Sequence, residues 1–316
     1  PSLPLRPPPA AAECPLMTRI ALQLDLSYQI DAQGADFVFN IHAAQTAGQS
    51  VSGENLWLSQ PLATRIHTDP VTGTRFMRLR AGPGELRVHY AATVDIHHHF
   101  ADPATLAEVP VCDLPPEVFP YILPSRYCQS DRLGKLAMAE FGRLWPGYAR
   151  VLAIQHWVQR QVVFTSNTTN SSTSAVDTLI ERVGVCRDFA HLMIALCRAL
   201  NIPARFTTGT DFGADPALGP PDFHAYVEVY LGHRWYLFDP SGTAIPMGLV
   251  RFGTGRDAAD VAFATIFGGV QARAPVIQAF DVADASGLRH PPHHCREAIS
   301  TDAGGRAPMG PGIGPA

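Results

Sequence analysis

The hydrophobic period of this chain changes once, and that change limits the folds open to it. From Met17 to about Phe100 apolar residues recur at every second position: Ile20, Leu22, Leu24 and Leu26 alternate with Ala21, Gln23, Asp25 and Ser27. Further short runs at 36–42, 76–80 and 85–96 are separated by turn formers such as Ala81-Gly82-Pro83-Gly84. A period of two broken by frequent turns marks antiparallel strands folded into a small sandwich or barrel. From about Asp131 the period becomes helical, through residues 133–144, 148–163 and 174–182, and then through a strongly apolar run from Cys186 to about Leu200. Asn201 and Pro203 stop that last helix, and strands return at 204–208, 224–231 and 234–238.

With 316 residues there is room for one large domain or two smaller ones. The expected division is an upstream or disordered segment at 1–16, a β-rich domain at 17–101, a Pro-rich connector at 102–130, a mixed domain at 131–270 and a weakly ordered tail at 271–316. Residues 1–16 are rich in Pro and Ala and lack the basic and apolar regions of a secretory signal, so Met17 reads as the natural start. A net charge of −4 gives no footprint for nucleic acid or anionic membrane. Nor does any apolar stretch approach the roughly 20 residues that span a bilayer. The six cysteines form no CxxC pair. Without a signal sequence the expectation is unpaired thiols in a reducing cytoplasm.

Among those cysteines only Cys186 has a chemical setting. It stands where a loop turns into the apolar helix, and a helix N-terminus favours the ionised, nucleophilic form of a thiol. Cys197 lies within that helix and reads as a small buried apolar residue. Taken alone, Cys186 would read the same way. What changes the balance is the register of two later strands. His224, Tyr226, Glu228 and Tyr230 share one face of an alternating run, and Gly232-His233 is a Gly-first two-residue link suited to a type II′ turn. Pairing Leu231 with Arg234 sets Tyr226 opposite Asp239, so Asp239 falls on the His224 side and diagonal to it. A thiol, an imidazole and an orienting carboxylate make an acyl-transfer triad.

Other features read as structural. In the run His97-His98-His99 successive strand residues face opposite ways, which spoils a metal site. The tail residues His293, His294 and Cys295 are no better placed. His191 and Trp157 read as packing, and Asp188 as a dipole partner in the first helical turn. Ser125-Arg126-Tyr127 stands as a candidate border of the cleft. No cofactor and no metal are expected.

The segments Gly184-Val-Cys-Arg-Asp-Phe-Ala-His-Leu192, Asn201-Ile-Pro-Ala-Arg205, Asp222-Phe-His-Ala-Tyr226 with Glu228, and Trp235-Tyr-Leu-Phe-Asp-Pro240 resemble the transglutaminase-like cysteine protease superfamily, in particular its bacterial members with a β-rich N-terminal region. The resemblance implies a papain-like α+β core, with a nucleophile helix on an antiparallel sheet, behind a small all-β domain. It implies Cys186 as nucleophile, His224 as base and Asp239 as the orienting carboxylate, acting on a peptide or protein amide. Tyr226 stands where relatives often carry Trp. Calcium dependence does not carry over, because the extra domains of the animal enzymes have no room here. The reading is a cysteine peptidase or amidase. A protein-glutamine transamidase and a non-catalytic binding module of the same fold are the alternatives.

Overall fold

The computed structural model describes residues 17–213, 221–284 and 286–302. Strands β1 (Met17–Ile30), β2 (Ala35–Phe39), β3 (Gln49–Leu58), β4 (Arg65–Thr68), β5 (Arg75–Ala81), β6 (Gly84–His97) and β7 (His99–Ala101) come first. The long strands obey the period of two. Ile20, Leu22, Leu24, Leu26, Tyr28 and Ile30 of β1 are all buried, and β1 pairs with β6 along its whole length. Short 3-10 turns then carry the connector, whose Val109 and Val118 pack against Tyr230 and Trp235 of the second half.

The second half opens with α1 (Ser130–Phe141), α2 (Tyr148–Gln161), β8 (Val163–Phe164), α3 (Ala175–Glu181), β9 (Val183–Gly184) and α4 (Cys186–Ala199). Then come β10 (Ala204–Thr210), β11 (Phe223–Leu231), β12 (Arg234–Phe238) and β13 (Val250–Gly255), which form one sheet in the order β12-β11-β10-β13. Helix α4 is the centre of this half, buried at every position from Asp188 to Arg198. Sheet residues Ala225, Val227, Val229 and Leu231 meet it on one side, and α1 and α2 supply Leu133, Ala137, Val151 and Ile154 on the other. The architecture is α+β, a nucleophile helix on an antiparallel sheet behind an all-β half.

The hairpin between β11 and β12 keeps the register read from the sequence, Leu231 opposite Arg234 and Val227 opposite Phe238. The turn is not type II′. Both Gly232 and His233 have positive φ, +53° and +64°, which is the type I′ combination. Both turns close two-residue loops, so the ladder is unchanged.

The stretch expected as a weakly ordered tail carries strands as far as Ser300, while 303–316, like the upstream segment 1–16, lie outside the described residues. After α5 (Ala258–Val261), strands β14 (Ala264–Phe267), β15 (Val270–Ala272) and β16 (Val276–Asp281) return to the N-terminal half, and β17 (Ala298–Ser300) pairs with β7. β14 joins β2, whereas β15 and β16 lie along β1, with Leu22 opposite Ala279 and Leu24 opposite Ile277. The chain therefore re-enters the β half at Ala264, inside the stretch assigned to the mixed domain. β13 joins the halves. It pairs with β10 while its Val250 and Phe252 sit in the sandwich core with Phe37 and Phe39. Gln49 clamps it from the β half, its amide Nε2 donating to Arg251 O at 2.8 Å and its Oε1 accepting from Arg251 N–H at 2.8 Å.

The thiols divide as well. Cys128 and Cys197 are buried and Cys112 is exposed, all unpaired, and burial pushes the Cys128 thiol up to about 12. Cys295 is disulfide-bonded, where an unpaired thiol was expected. Cys14 lies outside the described residues.

Candidate active site

Cys186 opens α4, and the residues around it explain why it stands there. Val185 is the N-cap, and its N–H donates to the Asp188 carboxylate at 2.9 Å, the reaching-back half of a capping box. Gly184 lies beneath Asp188, where an added Cβ would come within 2.8 Å of the Asp188 Cβ. Only glycine lets the approach pass that close. β9 pairs in parallel with β8, and Thr165 N–H donates to Gly184 O at 2.9 Å, which fixes the path of the chain into the helix. Arg187 donates to Asp188 and also to Asn170 O at 2.9 Å, tying the neighbouring loop down. Asp188 thus does more than face the helix dipole: it organises the turn that presents the thiol.

The sulfur of Cys186 is half-buried and lies 3.9 Å from the carbonyl oxygen of Phe223, the residue before His224. His224 Nε2 lies 3.2 Å from Asp239 Oδ1, and both side chains are buried. With Nε2 taken, Nδ1 is the nitrogen left for the sulfur. The structure therefore brings together the three residues singled out in the sequence. Asp239 follows the last residue of β12, one step beyond the Val227–Phe238 pair, as the register requires.

Asp239 is held from several sides. Its Oδ1 accepts from Ser241 N–H at 3.0 Å and from Ser241 Oγ at 2.6 Å, its Oδ2 from Ala244 N–H at 2.8 Å, and its main-chain oxygen from Gln159 Nε2 at 3.3 Å. Neither Ser241 nor Gln159 stands out in the sequence. An Asp with Ser two residues on is an Asx-turn signal that makes Ser241 recoverable, but Gln159 comes from α2 and carries no local signal.

Charge and burial oppose each other here. Burial alone would keep His224 neutral. The Asp239 charge and hydrogen bond, with Cys186 alongside, override it and raise the imidazolium well above its usual range. Burial likewise pushes the Asp239 carboxyl up. The His224 charge and the hydrogen bonds from His224, Ser241 and Ala244 outweigh it, leaving the group below the ordinary aspartate range. The two partners agree on a charged imidazolium–carboxylate pair.

Residues left uncertain by the sequence fall away from this chemistry. His191 is fully buried, accepts from Ala258 N–H at 3.2 Å and lies between the rings of Tyr127 and Phe206. Tyr127 donates through its hydroxyl to Ser171 O at 2.6 Å, bracing the loop that Arg187 also holds. Trp157 bonds Glu140 and meets Phe141 edge-on, a contact between α1 and α2. His98 is buried with Nε2 3.0 Å from Met247 O. Among the described residues no three His, Cys, Asp or Glu side chains are placed to hold a metal ion, and no helix is long and apolar enough to cross a membrane.

Comparison with known proteins places the fold. Residues 140–240 match the transglutaminase-like superfamily, and residues 19–117 match the bacterial transglutaminase N-terminal domain. A solved structure of a candidate cysteine protease from Cytophaga hutchinsonii is 40% identical, covers 90% of this chain and 97% of its own, and superposes with a TM-score of 0.83. An uncharacterized protein of Mycobacterium leprae is 32% identical over 117 residues, 35% of this chain and 42% of that protein. One of Mycobacterium tuberculosis is 34% identical over 109 residues, 31% of this chain and 35% of that protein. The chain spans less than half the length of these mycobacterial relatives.

Proposed function

Because the chain belongs to the transglutaminase-like superfamily, we propose that it is a thiol-dependent acyl-transfer enzyme that cleaves amide or peptide bonds through a thioester on Cys186. The observation that supports this most directly is the buried His224–Asp239 pair at 3.2 Å beside the half-buried sulfur. A scaffold has no need of a desolvated ion pair next to a thiol.

In this reading the Cys186 thiolate adds to the carbonyl carbon of the substrate. The tetrahedral oxyanion meets the N–H of Cys186 at the start of α4, where a helix leaves its first donors without intrahelical acceptors. As the C–N bond breaks, the His224 imidazolium gives its proton to the leaving amine, and a thioester remains on the sulfur. His224, now neutral, takes a proton from water as it attacks, releasing the acid and restoring the thiolate–imidazolium pair. Asp239 fixes the ring and stabilises its charged form. Water is the default acceptor. An amine arriving at the same thioester would give transamidation by the same steps, and the outcome rests on differential access of a few kcal/mol.

Two measurements test the proposal. Iodoacetamide at pH 6 should label Cys186 much faster than the exposed Cys112, which serves as the ordinary thiol. Mass spectrometry of the protein with peptide amides should show an acyl adduct on Cys186 that is absent from Cys186→Ala. Equal, slow labelling with no adduct would leave a non-catalytic module. Preferential transfer of the acyl group to added amines over water would replace the peptidase reading with the transamidase.

A further inference from the structure

The carboxylate of Asp211 stands beside this chemistry with no cation paired to it among the described residues. Asp211 follows Thr210 at the end of β10 and lies two residues on from Gly209, which pairs with His224. A period of two keeps it on the His224 side of the sheet, diagonal to the imidazole and roughly 7 Å from it by strand geometry. It is half-buried, yet among the described residues no other residue donates a hydrogen bond to its side chain and no Lys, Arg or His comes within ion-pair distance. His224 is already in contact with Asp239 at 3.2 Å. Asp222, across the strand pair, spends its carboxylate on the N–H of Phe223 at 2.7 Å. Burial pushes the Asp211 carboxyl above its usual range, with His224 and a hydrogen bond from its own N–H opposing and Asp239 and Asp222 adding to the rise. The whole stretch 211–222 contains three Asp and no Lys, Arg or His.

A half-buried, unpaired carboxylate is costly, and the cost is relieved when a cation arrives to pair with it. The position of Asp211 says which part of the substrate would bring that cation. His224 must reach the nitrogen of the leaving amine, so a group one ladder step from His224 lies on the amine side of the scissile bond, not the acyl side. By microscopic reversibility an attacking amine would occupy the same place.

We propose that Asp211 is a specificity-determining residue that selects amine-side partners carrying an ammonium or guanidinium group close to the reacting nitrogen. This rests on the acyl-transfer reading above and narrows its substrate class. Two sources supply that chemistry, a Lys or Arg residue following the scissile amide and a free diamine that attacks the thioester.

The test compares peptide amides that differ only in the residue after the scissile bond: Lys, its neutral isostere norleucine, and Glu. The wild-type protein should favour Lys over norleucine in kcat/KM by about tenfold, mostly through KM, as one charge-assisted contact provides. Asp211→Asn should bring that ratio close to one, and Asp211→Lys should favour Glu. Partition of a preformed acyl-enzyme between a diamine and a monoamine of equal length identifies the second source, with the diamine preferred only while Asp211 is present. A separate measurement needs no turnover. Cys186 should react faster with a cationic methanethiosulfonate than with a neutral one, and Asp211→Asn should lower that ratio. Loss of turnover in the wild type with the labelling ratio intact would count against the acyl-transfer reading and leave Asp211 as a cation site. A wild-type protein with no preference for cations, or ratios unchanged in Asp211→Asn, would overturn the proposal.

Discussion

At His224 two opposing effects meet on one ring, and their balance makes predictions about pH. The imidazolium is raised because Asp239 is charged, hydrogen-bonded to it and shielded from water. The stabilisation from His224 is then fully present below 6.5, the unfolded value, and is lost as pH rises through the folded value. That from the depressed Asp239 is present above 3.8 and is lost as pH falls through its folded value. The gap in urea midpoint between wild type and Asp239→Asn should therefore be widest between these limits and close on both sides. Activity should follow the same logic. In Asp239→Asn the alkaline limb of the kcat/KM profile should move to lower pH, and the rate near neutrality should drop on the order of 10³-fold. An unmoved alkaline limb would show that another group sets it. The residues proposed to carry chemistry were legible because thiol, imidazole and carboxylate are distinctive side chains in a fixed strand register. Ser241 and Gln159, which aim the carboxylate, are ordinary polar residues whose role arises from where the chain bends.

Two local elements position the triad, and each rests on a small residue. The turn from β9 into α4 requires Gly184, since a Cβ there would meet the Asp188 Cβ at 2.8 Å. Gly184→Ala should displace Asp188 from the Val185 N–H and cost about 1–3 kcal/mol, the usual range for overpacking. Thermal unfolding reads the loss of stability, and slower alkylation of Cys186 reads the shifted turn. A variant with wild-type stability and labelling would show that Asp188 gives way at no cost. The β11–β12 hairpin needs two residues at positive φ, and Gly232-His233 supplies them. Loop length was legible and fixed the pairing, whereas the choice of turn was not. A glycine in the first position suits types I′ and II′ alike, and the twist of the flanking strands decides between them.

Across the whole molecule, the two halves are not independent bodies joined by a connector. β13 lends Val250 and Phe252 to the sandwich core while its backbone completes the other sheet, and β16 covers β1 from Ile20 to Asp25. A protein ending at Gln271 loses β16 and β17 and exposes the edge of β1, a row of unpaired backbone groups beside buried Leu22 and Leu24. It should be markedly less stable and prone to aggregate, as measured by thermal unfolding and size-exclusion chromatography. Full stability after that truncation would restore the reading of 271–316 as a tail. Gly209→Ala should be equally informative. A Cβ there would come within 1.9 Å of Val250 O, so the change should part β10 from β13 and lower activity and stability together. The switch from strands to helices and back, the helix that Cys186 opens, the hairpin register and the three residues proposed as the triad were determined by the sequence alone, because period, turn length and side-chain chemistry are local and speak within a few residues. The existence and destination of the last strands, the sharing of β13, the clamp on Asp239 and the burial of Asp211 beside His224 were decided only by tertiary structure. A six-residue strand such as β16 has no local sign of its partner more than two hundred residues earlier, and burial, which gives each of these groups its energy, exists only once the distant pieces have met.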